Sequence, residues 1–480
     1  MAELHKNPPR RVLGVLALTL LSVSAIVSLR NLPLMGLYGW SSVFFYTVAA
    51  LLFLIPSALV SAELATGWQK DGGVYVWASE AFGDRWGFAG IWAAWTTSIV
   101  LFPTIMSFAA ASLAFVINPL LVESQAFIFW VTLAIFWLIT FVNFAGMKVS
   151  AWFSSVGTTL GTIIPGALII ILAIHWLWSG HPVEISFSWD ALLPDFNLQN
   201  IVFFTGVILG FSGMEITAYH VQEARNPQRD FGRSLLLSAS IIVTLSIFGS
   251  LAIAYLIPHD NVSLLAGTLQ IFETIGTRIG IPYFVEGIAL MLLIGTLAQV
   301  NTWYLGPAKG LLFAGQSGYL PAHFTKTTQA NIPIAILFWQ AVIGSILAYA
   351  FLLMPSVSHA FWIMTALTTQ LAALIYIFIF ASAIRLRYTQ PDRVRAFKVP
   401  GGNLGMWLIS GFGFLTAVLV FLLGFVPPEK LDYASVWHYE AYLVLGLLLL
   451  LSPAIYLMIT RHKNVILKNA GKTSSNSGRN

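Results

Sequence analysis

A dozen long apolar segments follow one another from Val12 to Thr460, and two of them, near 22–36 and 206–220, are broken mid-run by Pro, Gly, Ser and charge. A ~30 Å hydrocarbon core needs about 18–20 apolar residues of helix, a length that Phe44–Val60, Phe127–Phe144, Leu235–Ile257 and Tyr442–Ile459 approach or exceed. No short alternation recurs, so the segments are helices and not barrel strands. Only 9% of the residues are charged and 58% are hydrophobic, where a soluble domain carries about a quarter charged. The chain is therefore an integral membrane protein whose first partner is the lipid bilayer. A helix broken inside a bilayer survives only where its freed backbone groups line a cavity or meet a ligand, so the two interruptions mark where function belongs.

The coarse spans are 11–33, 41–64, 87–115, 126–145, 150–178, 200–221, 232–257, 283–313, 333–354, 359–387, 406–425 and 437–460. Twelve spans put both termini on one side. With the N-terminus inside, Arg225, Arg229, Arg233, Arg385, Arg387, Arg393, Arg395 and Lys398 gather in cytoplasmic loops, whereas the outer loops hold little beyond Arg278 and Lys430. The net charge of +5 is thus a topology signal facing anionic lipid, and no nucleic-acid motif accompanies it. The polar stretches Gly67–Arg85, Ser179–Asn200, Pro258–Pro282 and Arg387–Leu404 are too short to bury a core, which leaves one membrane domain over 1–480. The first apolar run has no small-residue cleavage site and is expected to be retained. Gly72-Gly73 and the aromatic residues behind it suggest a short amphipathic helix, and the Ser/Asn/Gly/Lys-rich tail 461–480 is expected to be disordered. There is no cysteine, so disulfides and thiol chemistry are excluded. His175, His181, His220, His259 and His323 are scattered without metal-ligand spacing, and no nucleophile–base pair stands out. Neither an enzyme nor a cofactor is expected.

In the first interruption Pro33 removes a backbone donor and disfavours helix at Leu32, while Ser22, Ser24 and Ser28 offer hydroxyls to loosened backbone. Arg30 has two readings: it snorkels to the interface, or it lines a substrate path where its guanidinium can fork onto a carboxylate. In the second interruption Gly206, Gly210, Ser212 and Gly213 weaken a helix by about 1 kcal/mol per Gly, or else serve close helix packing. Glu215 at this depth must be paired, protonated or facing water, and a structural role stands beside a proton-linked one. Glu63 and Glu286 are further carboxylates open to proton linkage, and His220 has a pH-sensing reading beside a capping one.

Each interruption opens a set of five spans, so 11–178 and 200–387 read as inverted halves, with 406–460 adding two helices. The chain resembles the amino acid–polyamine–organocation superfamily, within it the bacterial glutamate/4-aminobutyrate antiporter branch, from about Leu13 to the end of the last span. The carriers are Ala62-Glu63-Leu-Ala-Thr66 with Asp71-Gly72-Gly73-Val-Tyr75-Val-Trp77, Arg85-Trp86-Gly87-Phe88, Asn226-Pro227-Gln-Arg229-Asp230, Ile257-Pro258, Gly306-Pro307-Ala-Lys309-Gly310 and Phe397-Lys-Val-Pro400-Gly401-Gly402. Singly each is weak; in this order and spacing they are specific.

The resemblance implies an all-α, LeuT-like 5+5 inverted repeat with two added C-terminal helices, discontinuous first and sixth helices, and a bacterial inner membrane location with cytoplasmic termini. Carried over by position, Ser24, Ala25, Ile26 and Ser28 with Phe211, Ser212, Gly213 and Glu215 would form the floor that holds an amino acid's carboxylate and ammonium groups. The side chain would point towards Arg30, Gln299, Trp303 and Tyr376, although either aromatic also reads as packing. Where the antiporters carry tyrosine and glutamate, this chain has Arg30 and Gln299, which shifts the implied preference towards acidic or neutral polar side chains, or marks another amino acid. Alternating access with exchange is the implied mechanism. Ser22, Ser24, Thr296 and Thr302 offer oxygens to a sodium ion, as many packed helices do. A proton-coupled uptake permease and a non-transporting amino acid sensor are the alternatives, and the tail carries no partner motif that would favour the sensor.

Overall fold

The computed structural model describes residues 14–69, 72–145, 156–197, 201–202, 204–218, 225–328, 332–427 and 436–476. Among these, every regular element is helical. The first span is split into α1, Val15–Ile26, and α2, Leu32–Gly36, with a tight turn at Leu29–Asn31. The second span is α3, Ser41–Gly67, which contains one wide turn at Ala50–Leu54. There follow α4, Val74–Phe82; α5, Asp84–Ile117; α6, Gln125–Ala145; and α7, Val156–Trp178. The sixth span is split into α8, Phe204–Gly210, and α9, Met214–Ala218. The rest are α10, Pro227–Leu256; α11, Gly267–Ile279; α12, Phe284–Ala314; α13, Ile334–Leu353; α14, Val357–Thr389; α15, Gly402–Leu423; and α16, Val436–Asn476.

Eleven of the described helical segments are long and apolar enough to cross a membrane, and the twelfth expected span is the broken α8–α9, too short on either side of its interruption to qualify. α16 continues through Asn476, so the tail expected to be disordered from 461 is helical that far. α4 corrects a second expectation: Val74, Tyr75, Val76 and Trp77 are all buried, and Tyr75 meets Phe313 at 5.7 Å between ring centres. The aromatic face that suggested a surface helix packs inside the protein. Met1–Arg11, Lys70, Asp71, Lys148, Tyr219, His220 and Glu223 lie outside the described residues.

Burial is concentrated in two long helices. α5 is the most enclosed span, with 89% of its apolar window buried, and α14 follows at 83%, whereas the last span is only 22% buried and faces outward. The first broken span packs along α10 and meets α12, and the second lies against α14 and α3, so that the space between the breaks faces α5, α12 and α14. On its far side, α12 meets α7 backbone to backbone: a Cβ on Gly161 would lie 2.2 Å from both the Gly295 nitrogen and the Met291 carbonyl oxygen. Small residues let helices approach in this way where lipid supplies no hydrophobic drive for association.

Candidate functional site

The first break occurs earlier than Pro33. Val27 and Ser28 are extended, with ψ of 116° and 108°, and Pro33 sits in the first turn of α2, where a missing N–H costs no hydrogen bond. The carbonyls freed or loosened along this stretch find side-chain donors on neighbouring helices. Trp303 Nε1 donates to Ala25 O at 2.8 Å, and Gln299 Nε2 donates to Val27 O at 3.3 Å. Thr268 Oγ1 donates to Leu29 O at 2.6 Å, and Ser250 Oγ to Leu32 O at 3.0 Å. Each bond satisfies a backbone group that hydrocarbon would leave bare.

The second break spans Phe211–Gly213, where Gly213 has φ of +125°, a conformation that L side chains rarely adopt. A Cβ there would also stand 2.9 Å from the Trp303 ring. The Gly213 N–H donates to the Tyr376 hydroxyl at 2.6 Å, and that hydroxyl in turn donates to the Glu215 carboxylate. Two unbroken helices therefore brace two broken ones: α12 holds the first break through Gln299 and Trp303, and α14 holds the second through Tyr376.

Between the breaks lies a cavity. Ala25, Ile26, Ser28 and Arg30 line it from the first span, Ser212 and Glu215 from the sixth, Gln299 and Trp303 from α12, and Tyr376 from α14. Arg30 is 3% exposed, and its Nε and Nη1 have no hydrogen-bond partner among the described residues. Its guanidinium carbon lies 5.9 Å from the centre of the Phe361 ring, so an aromatic face is its nearest described compensation. Arg30 does not snorkel. Buried guanidinium N–H groups without acceptors are costly, and an incoming carboxylate could fork onto Nη2 together with either Nε or Nη1, relieving one of the two.

Three expected site residues do not line the cavity. Ser24 is drawn into a hydroxyl cluster, 2.7 Å from Thr158 Oγ1 and 3.1 Å from Thr302 Oγ1. Phe211 turns to Tyr46, with ring centres 5.6 Å apart, and Gly213 contributes backbone alone. Gln299 lines the cavity, but both ends of its amide are engaged by the first break, since Ser28 Oγ donates to Gln299 Oε1 at 3.1 Å. Glu63 lies elsewhere, in an ion cluster with Arg387 and Arg395. Residues absent from the expected set complete the wall: Thr97, Leu101 and Ile105 of α5, Asn31, Leu209, and Ala372 and Ile375 of α14. The four-residue spacing on α5 is a helical stripe, but an apolar stripe reads the same whether it faces core or cavity.

A family model described as amino acid permease matches residues 13–450. Among curated proteins the chain is 40% identical to an uncharacterized transporter of Legionella pneumophila over 92% of this chain and 96% of that protein. It is 30% identical to the glutamate/gamma-aminobutyrate antiporter of Lactococcus lactis over 89% of this chain and 86% of that one. It is 24% identical to an inner membrane transporter of Salmonella typhimurium over 70% and 73% of the two chains.

Proposed function

The chain belongs to the amino acid permease family, a transporter family of the amino acid–polyamine–organocation superfamily, and from that premise we propose that it exchanges one amino acid for another across a bacterial inner membrane by alternating access. The substrate's α-carboxylate and α-ammonium would sit against the broken backbone of the first and sixth spans, where helix-end N–H groups and freed carbonyls provide charge of both signs. The substrate side chain would be acidic, or neutral and polar. The observation that carries this reading is Arg30, a buried guanidinium lining the cavity with Nε and Nη1 unpartnered among the described residues. Substrate entry and exit would follow from rocking of the span set that holds both breaks against the α5–α12 scaffold. Both termini are taken as cytoplasmic, on the distribution of Lys and Arg among the loops.

The test is uptake of labelled glutamate into proteoliposomes preloaded with 4-aminobutyrate, glutamine, glutamate, arginine or nothing, at pH 5.5 and 7.5. Uptake confined to loaded vesicles supports exchange and names the counter-substrate. Uptake into empty vesicles under an inward proton gradient supports a second reading, proton-coupled import. One observation favours that reading: Glu215 places a buried carboxylate on the cavity wall beside the break in the sixth span, where a coupled proton would have to bind. No uptake under any loading removes glutamate as a substrate.

A further inference from the structure

The two breaks differ in how they are held. Tyr376 braces the second with one hydroxyl, whereas Gln299 meets the first with a donor and an acceptor on one amide, donating to the Val27 carbonyl and accepting from the Ser28 hydroxyl. These two residues are also the extended ones, so the amide spans the whole unwound turn. Ser28 and Gln299 line a second, smaller cavity as well, bounded by Phe108, Gly161 and Thr296, so their hydrogen bond stands as a partition between the two spaces.

We propose that Gln299 is a positioning residue, whose neutral amide holds the unwound turn of the first span in its binding shape and closes the central cavity on the α7 side. This rests on the transport reading for its functional consequence, but the brace itself is a statement about shape. Among isosteric groups only an amide or a protonated acid can both donate and accept here. A carboxylate accepts from Ser28 but turns lone pairs on the Val27 carbonyl. A leucine does neither. The shape of the binding floor then owes nothing to a proton at position 299, and a Glu there would make it depend on one.

The chain's lack of cysteine provides a reporter independent of substrate, because Ala25→Cys introduces the only thiol, on the cavity wall. Reconstituted Ala25→Cys protein is compared with the same protein carrying Gln299→Glu or Gln299→Leu, reading the rate of modification by a small methanethiosulfonate and the uptake of labelled glutamate at pH 5.5 and 7.5. Arg30, Glu215 and Tyr376 face the same cavity from the first, sixth and tenth spans, so each variant is read as a ratio to the Gln299 protein at the same pH. For one buried hydrogen bond lost, the expected change is about tenfold. Gln299→Leu, which loses both bonds, should modify faster and transport less by at least that factor at both pH values. Gln299→Glu should do so at pH 7.5 and return towards the parent at 5.5, a recovery that also certifies its fold. A Gln299→Glu protein that keeps the parent's ratio at both pH values, or fails to recover at 5.5, overturns the proposal. So does a Gln299→Leu protein modified at the parental rate. If the cysteine-free chain, assayed beside them, also takes up no glutamate yet modification responds as expected, the brace stands and the glutamate transport reading falls.

Discussion

Arg387 forks onto Glu63, with its Nε and Nη2 each 2.6 Å from a separate carboxylate oxygen, although the two residues are 324 positions apart. The Val399 N–H adds a third donor at 2.7 Å, and Arg395 Nε stands 3.4 Å from the same carboxylate. Burial holds the Arg395 guanidinium below its ordinary value, and Glu63 opposes that shift. Glu63 thus ties the end of α3 to α14 and to the loop before α15, and its hydrogen-bonding capacity is spent there, away from the cavity.

Removing one member of such a buried pair strands the other, at about 3–5 kcal/mol. Glu63→Gln should therefore lower the thermal midpoint of the purified protein in detergent, while Glu63→Leu with Arg387→Leu should recover part of the loss, because one stranded cation leaves but Arg395 and the Val399 N–H stay behind without their acceptor. A double variant as unstable as the single one would show that the pair is not the source of the stability.

Arg30→Met removes the guanidinium but keeps an unbranched side chain. The loss of a charge-assisted, two-pronged contact should weaken binding of an acidic amino acid by about 10–100-fold, with neutral amino acids affected far less. Competition of unlabelled amino acids against labelled substrate reads the ranking directly. An unchanged ranking would remove Arg30 from side-chain recognition.

Tyr376→Phe keeps the ring against Phe53, whose centre is 4.6 Å away, and deletes the hydroxyl shared by Gly213 and Glu215. Glu215→Gln leaves an oxygen that still accepts from Tyr376. If Glu215 serves structure, Tyr376→Phe lowers uptake by about tenfold and Glu215→Gln hardly at all. If Glu215 carries a proton, Glu215→Gln flattens the pH profile of uptake between 5.5 and 7.5. The two profiles side by side decide the role of this carboxylate.

At the α7–α12 crossing the atoms that a Cβ would strike are backbone, which cannot swing aside. Gly161→Ala and Gly295→Ala should each separate the helices and lower the thermal midpoint. Because the contact is shared, the double variant should fall well short of the sum of the two single losses. Additive losses would mean that the glycines act independently.

The number of spans and the neighbourhood of both interruptions were legible in the sequence, because hydropathy, proline and glycine act over a few residues and leave a local record, although the first break falls at Val27–Ser28 and not at Pro33. What each nearby side chain does was not. Ser24 and Phe211 carry the same sequence signal as Ser28 and Ser212, yet they face a hydroxyl cluster and a tyrosine, since rotation of a helix about its axis is set by what packs against it. The stripe Thr97, Leu101 and Ile105 reads as core until the broken spans opposite leave a gap. Arg30 keeps a snorkelling reading beside the substrate-path one until the fold encloses it on the cavity wall. Local chemistry thus determined a bundle of apolar helices with two weak points. Only the tertiary structure decided that Gln299 and Trp303 hold one break and Tyr376 the other, because those bonds join residues 161 to 278 positions apart, and such partners exist only once the helices have packed.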